Sequence, residues 1–309
     1  MTFSSGQDDQ AAKGQLTSSS LIRLDHFPVP AALAPFVVTL YHFTCDEILL
    51  SDVVPAGVGY VMALLSGSAK VTFAHGESVD APPLALLTPT SGAAHVTADG
   101  PFHLVGAALS PLGWGALTGM PAFEARNQVL AAASWLGDEA GPALRRWRTG
   151  YVSAALTGEA ICAELAAILT AQMKMPSPRH ISLIRETGDW LSSSFDPELS
   201  ALGRSTGYSV RQVERLVKRY FGATPRELVR KYRALRVAAL LQSPDCDDER
   251  AAALTNLFYD QSHLIREMRH YLGRTPTRLV AEESALTQAM NGIDNFRHRR
   301  PSFARIPKG

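Results

Sequence analysis

Cysteine is scarce in this sequence. Only Cys45, Cys162 and Cys246 occur among 309 residues, and no two form a CxxC pair. This excludes a disulfide framework and a cysteine-based metal motif, and it points to a reducing, cytoplasmic setting with buried free thiols. Long apolar runs are also missing. The longest, Tyr60-Val61-Met62-Ala63-Leu64-Leu65, falls far short of the roughly 20 residues of a membrane span, so no membrane partner is expected. Residues 1–20 are polar throughout, without the apolar core of a secretory signal, and are expected to be a disordered tail. Enzyme signatures are absent as well: there is no GxSxG elbow, no GxxxxGKS/T loop and no HExxH pair. Gly57-Val58-Gly59 is a bare GxG in a strand-like run and reads as a bend. No catalytic residue, cofactor or metal site is assigned.

What is present is a soluble globular composition, 46% hydrophobic and 19% charged, with a formal net charge of only +1. The near-neutral total hides an asymmetry. Residues 1–177 carry 8 basic and 14 acidic side chains, whereas residues 178–309 carry 22 and 15, so the halves sit at −6 and +7. A basic module that meets a polyanion, joined to an acidic module with another task, accounts for that split; clustering of charge on solvated faces accounts for it equally. The break falls at Met175-Pro176-Ser177-Pro178, where two prolines interrupt helical pattern. This gives a region at 21–175, a linker at 176–181, a helical region at 182–284 and a basic, flexible tail at 285–309 that includes Phe296-Arg297-His298-Arg299-Arg300.

Before the break, short runs punctuated by Gly and Pro read as strands: GYVMALLSG and AKVTFAH around a Gly-Ser turn, then LALLT and FHLVGAAL. They suggest a small barrel or sandwich. Helices are expected at about 121–135, 139–148 and 158–173. After the break, residues 182–286 read as helices and short turns.

The helical region repeats itself. TGYSVRQVERLVKRYFGATP at 206–225 and LFYDQSHLIREMRHYLGRTP at 257–276 align at a constant offset of 51, pairing Ser209 with Asp260, Arg215 with Arg266, Tyr220 with Tyr271 and Gly222 with Gly273. In the first copy a helix over 199–206 leads to Gly207, which supplies a tight turn, and Ser209 can cap a second helix running to about Tyr220. Val213, Leu216, Val217 and Tyr220 form one apolar stripe. Arg211, Gln212, Glu214, Arg215, Lys218 and Arg219 occupy the opposite face. In the second copy Leu264 and Met268 continue the stripe, opposite Gln261, Ser262, His263, Arg266 and Arg269. Helix, Gly-containing turn and basic helix make a helix-turn-helix pattern, whose second helix fits the major groove of double-stranded DNA. Between the copies, Pro225–Leu241 reads as one helix, a rod of about 26 Å. Such a rod sets two reading helices near the roughly 34 Å spacing of successive major-groove faces.

These residues resemble a known family. LGRSTGYSVRQVERLVKRYFGATP and FYDQSHLIREMRHYLGRTPTRL, with their shared Arg-x6-Gly-x-x-Pro tails, are similar to the AraC/XylS-type DNA-binding domain over 182–284. The resemblance implies a transcriptional regulator whose base-facing positions are Arg211, Glu214 and Arg215 in the first unit and Gln261, Ser262, Ile265 and Arg266 in the second. It also names RNA polymerase and a second copy of the chain as candidate partners. Leu257 stands where the family has Gly, so it must take a left-handed φ or the turn must change shape. The first unit is therefore expected to carry more of the sequence discrimination, and the second to act largely through phosphates. Gly203 replaces the usual Ala, at about 1 kcal/mol of helix propensity.

Residues 25–175 are more weakly similar to the cupin-like sensor regions of such regulators, through Pro55-Ala56-Gly57, the 89–95 segment and Leu109-Ser110-Pro111-Leu112-Gly113-Trp114. The expected fold is α+β with two domains: a cupin-like small β-barrel with following helices, then an all-α domain of two helix-turn-helix units on a linker helix. A small-molecule effector would meet Tyr60, His95, His103 and Trp114. The rival readings are a cupin-type small-molecule binder or metal-dependent enzyme with a helical appendage, drawing on His75, Glu77, His95 and His103, and a protein-interaction module that meets an acidic partner. There is no His-x-His pair to favour the metal enzyme.

Overall fold

The computed structural model describes residues 17–281 and 302–307. The expected disorder of 1–20 lies outside them up to residue 16. From residue 17 the chain is tied down, with the Thr17 N–H donating to the Ser51 carbonyl at 2.9 Å. Five strands open the fold: β1 (Ile22–Phe27), β2 (Val37–Cys45), β3 (Leu49–Val54), β4 (Tyr60–Thr72) and β5 (Ser78–Asp80). They are followed by β6 (Leu84–Leu87), β7 (Ala94–Leu109), helix α1 (Pro111–Thr118), β8 (Val129–Ala131), α2 (Ala133–Leu136), α3 (Ala140–Val152) and α4 (Gly158–Gln172). All eight strands join one antiparallel sheet in the order β1-β2-β7-β4-β6-β8, with β3 on β7 and β5 on β4.

The closed cupin-like barrel is thus not what forms: among the described residues the sheet stays open, with β1 and β8 at the ends of its path. The Gly-Ser turn expected near residue 67 is instead a bulge within the continuous strand β4, whose register against β7 shifts between Leu64, Ser66 and Ser68. A bulge inserts an unpaired residue and re-aims the side chains beyond it. The helix expected at 121–135 is also corrected. It is turn, strand β8 and the short α2, because Asn127 takes a left-handed φ of 60° and residues 128–131 pair back onto the β6 segment.

Side chains two apart share one face of a strand. Leu40 and His42, Val61, Ala63 and Leu65, and Val105, Ala107 and Leu109 lie buried on one face, and α4 packs against β2 and β7. Tyr41 and Phe43, Tyr60, Met62 and Leu64, and Leu104 and Ala108 line a cavity on the other. Beyond the bulge the parity of β4 reverses, so that Ala69 and Val71 face the same cavity.

The remainder is helical: α5 (Pro178–Ser193), α6 (Leu199–Thr206), α7 (Val210–Phe221), α8 (Pro225–Leu241), α9 (Asp248–Thr255), α10 (Gln261–Leu272) and α11 (Pro276–Ala281). α8 is buried along nearly its whole length, with Ala234, Val237, Ala238 and Ala239 fully enclosed. The apolar core continues from the sheet through α1 and α5 to α8 and α10 without interruption. The tail expected to be mobile returns to this core. A 3-10 turn at Ser302–Ala304 buries Phe303 and Ala304, Phe303 meets Phe221 and Tyr232 edge-on, and its carbonyl accepts from Arg236 Nη2 at 3.0 Å. The 296–300 basic run lies outside the described residues.

Candidate nucleic-acid interface and apolar cavity

The second helices of the two repeat units, α7 and α10, are each capped at the start and closed by a glycine at the end. Ser209 caps α7 and closes a capping box: its hydroxyl accepts from the Gln212 N–H at 3.4 Å, while Gln212 Oε1 accepts from the Ser209 N–H at 3.1 Å. Asp260 caps α10, accepting from the His263 N–H at 2.7 Å. Both helices end on a left-handed glycine, Gly222 and Gly273. The turns before them differ. Gly207 takes φ 64° in the first unit. In the second, Leu257 stays out of the left-handed region; Asn256 is right-handed, and the turn closes by Leu257 N–H to the Leu254 carbonyl and Phe258 N–H to the Thr255 carbonyl. Of the two routes open to Leu257, the turn has changed shape.

Arg211, Arg215, Gln261, Ser262, Arg266 and Arg269 are exposed, whereas Glu214 and Ile265 are half-buried. Two of the candidate DNA-facing residues also have partners within the chain. Gln212 commits its side-chain oxygen to the cap. Lys218 turns toward the N-terminal half, its ammonium 5.1 Å from the Phe123 ring centre.

The C-terminal ends of both helices are held by the sheet-bearing half. A helix leaves its last four carbonyls without internal partners. In α7 those of Lys218 and Arg219 accept from the N–H groups of Phe123 (3.1 Å) and Ala122 (2.7 Å). In α10 those of His270 and Tyr271 accept from Ala93 (2.8 Å) and Ala56 (2.7 Å). Two buried cations reinforce the contact: Lys231 Nζ donates to the Gly57 and Thr90 carbonyls at 2.8 and 3.3 Å, and Arg274 pairs with Asp52 at 3.0 Å. Glu267, buried on the inner side of α10, accepts from Arg230 Nε at 2.7 Å and pairs with Arg233 and His263 at 3.2 and 3.0 Å. These partners were missed in the sequence, although Glu267 was detectable there: it follows Leu264 by three and so lies on the apolar stripe, where a carboxylate needs cations. Burial pushes the neighbouring Tyr271 hydroxyl up to about 12.

The cavity encloses about 180 Å³. Strands β1 to β4, β6 and β7 form most of its wall, and Tyr232 and Leu235 of α8 with Phe303 complete it. The polar-tipped side chains on it are His26, Thr39, Tyr41, Tyr60 and Tyr232. Gly106 leaves the space the Tyr41 ring occupies; a Cβ there would collide with it. Burial raises the Tyr41 pKa well above the ordinary tyrosine value, so the hydroxyl stays protonated. Of the four expected effector contacts, only Tyr60 lines this cavity. His95 is bonded to Ser51 Oγ at 3.1 Å. Trp114, on α1, is buried and donates to the Met120 carbonyl at 2.9 Å.

His103 belongs to a hydrogen-bonded row outside the cavity: Asp46 Oδ1, His103, the Tyr151 hydroxyl and His42, with links of 2.8, 2.8 and 2.9 Å. An ionised Asp46 only accepts, so His103 Nε2–H donates to it. His75 and Glu77 bond each other at 3.1 Å on the surface, so the residues of the metal-enzyme rival lie in three separate places.

Residues 202–282, covering both units, match the family model of a helix-turn-helix domain. The C-terminal region therefore carries a helix-turn-helix domain. No curated protein matches the sequence. Among solved structures, ToxT from Vibrio cholerae O395 is 8% identical, covering 85% of this chain and 98% of its own at a TM-score of 0.42. An unsaturated fatty acid-bound ToxT from strain SCE256 is 10% identical, covering 76% and 96% at 0.43. The AraC-like transcriptional activator CuxR is 13% identical, covering 70% and 86% at 0.29. Among the described residues no helix is long and apolar enough to cross a membrane.

Proposed function

We propose that the chain is a sequence-specific regulator that reads two successive major-groove segments of duplex DNA with α7 and α10, under the control of an apolar effector in the sheet cavity. The observation that carries the DNA reading is the matched pair of capped helices at the two ends of α8. Their C-terminal ends are anchored on the other half, and Arg211, Arg215, Gln261 and Arg266 are left exposed. Arginine and glutamine are side chains that bond base edges in the major groove. The α8 rod of 17 residues, about 26 Å long, suits two adjacent groove faces. The effector reading is supported by the cavity wall: Tyr232 and Leu235 line it one residue from Lys231 and Arg236, which hold α8 in place. A molecule filling the cavity presses on the helix that spaces the two readers.

Selection of bound duplexes from a random pool, run at two salt concentrations, tests the first part. The expected result is a bipartite motif with halves about one helical turn apart. Binding without any enriched sequence, vanishing at the higher salt, would mean that the basic half holds only phosphates. For the effector, enlarging a wall residue by Ala108→Phe should mimic occupancy and change DNA affinity without any added molecule.

A further inference from the structure

Val210 and Tyr259 are the exposed large hydrophobic side chains among the described residues of the helical region, at 53% and 94% accessible. Both stand at the N-terminal entrance of a reading helix: Val210 is the first residue of α7, and Tyr259 immediately precedes the Asp260 cap of α10. Their positions are fixed from beneath. Ser209 closes its capping box beside Val210. Phe258 is buried next to Tyr259, with the Arg233 guanidinium 5.0 Å from its ring centre. The first unit, whose turn has a different shape, does not share this exposure of Tyr259. Tyr208, the counterpart of Tyr259 in the first unit, is half-buried with the Arg179 guanidinium 5.7 Å from its ring centre.

A large apolar side chain held in water at the end of a helix that approaches base edges needs an apolar partner. The exposed Arg211, Arg215 and Arg266 nearby make that partner a polyanion rather than an apolar protein face. In the major groove the apolar group on offer is the thymine 5-methyl, and it is the N-terminal residues of a recognition helix that come nearest the bases. We infer that Val210 and Tyr259 are apolar reading contacts, each packed on a thymine methyl in its own half of the operator. This rests on the DNA reading above and adds to it a thymine at one position in each half.

The test couples side chain to methyl group. Each thymine of the selected operator is replaced in turn by deoxyuridine, which removes only the methyl, and affinities are measured for the unaltered chain, Val210→Ser and Tyr259→Ala. One replacement in each half should weaken binding by the unaltered chain about fourfold, the worth of one buried methyl. That loss should disappear in Val210→Ser for one half and in Tyr259→Ala for the other. Both sites are exposed, and unchanged melting temperatures would verify that the variants fold. The inference is overturned if every deoxyuridine is tolerated, or if the losses persist undiminished in both variants. A Tyr259→Ala loss that is uniform over all sequences would make Tyr259 a backbone contact and overturn its part. If the unaltered chain enriches no motif at all, the DNA reading itself has failed, which is visible before any variant is made.

Discussion

Arg215 and Glu267 are charged side chains on the two reading helices, one exposed on α7 and the other fully enclosed behind α10. Arg215→Ala is expected to cost about 1–3 kcal/mol of DNA affinity and to relax the preference at one base, as loss of a bidentate contact does; binding titrations against single-base operator variants read both. Glu267→Gln keeps the shape but leaves the buried Arg233 without its carboxylate, at about 3–5 kcal/mol. Urea unfolding measures this, and an unmoved midpoint would show that the ion cluster does not hold α10 on α8. His42 and His180 set a pH dependence. Both are held below the ordinary histidine value, His42 by burial and then by His103, His180 by burial and then by Arg219 and Arg215. A lowered folded value means that the unfolded chain binds these protons more readily. Their contribution is then complete above about pH 6.5 and is lost as pH falls below it. Thermal melts should show a lower Tm at about pH 5.5 than at about pH 7.5, with the drop reduced in His180→Gln.

At the scale of the element, α7 shows how a reading helix is set at both ends. Its start depends on Ser209 and Gln212, and its end on Gly222 and the N–H groups of Ala122 and Phe123. Ser209→Ala should lower stability by about 1 kcal/mol, the usual worth of an N-cap. DNA affinity should fall with it, since the exposed Val210 and Arg211 follow the cap directly. A calorimetric scan paired with a binding titration checks both, and a stability loss with unchanged affinity would uncouple the cap from reading. α8 follows a different rule: with cavity, α10, α5 and the Phe303 turn around it, even Lys231, Arg233 and Arg236 are buried.

At the scale of the molecule, the C-terminal turn closes the structure. Phe303 packs on Phe221 and Tyr232 and completes the cavity wall. Phe303→Ala should cost about 3–5 kcal/mol, as removal of a buried aromatic does, visible as a lower denaturation midpoint. An unchanged midpoint would show that the turn adds nothing to the core.

The helical half was legible in the residues because its signals are local. Caps at Ser209 and Asp260, stripes at helical spacing and glycine ends recur 51 residues apart, and α6, α7, α8 and α10 form where they indicate. Leu257 announced a departure, and the turn there did change. The sheet half was less legible because strand pairing and closure are long-range. A glycine at 67 looks the same in sequence whether it makes a turn or a bulge, and β7 on the far side decides between them. The exposed arginines of the readers followed from pattern. The destinations of Gln212, Lys218, His95, His103 and Trp114 did not, because each depends on a neighbour distant in the chain or on a competing bond. The residues by themselves determined the helices, their caps and the two-unit repeat, since those follow from interactions a few positions apart. Only tertiary structure decided the open sheet, the cavity wall shared with α8 and the anchoring of α7 and α10 on residues 56, 93 and 122–123, because these join groups that chain order leaves far apart.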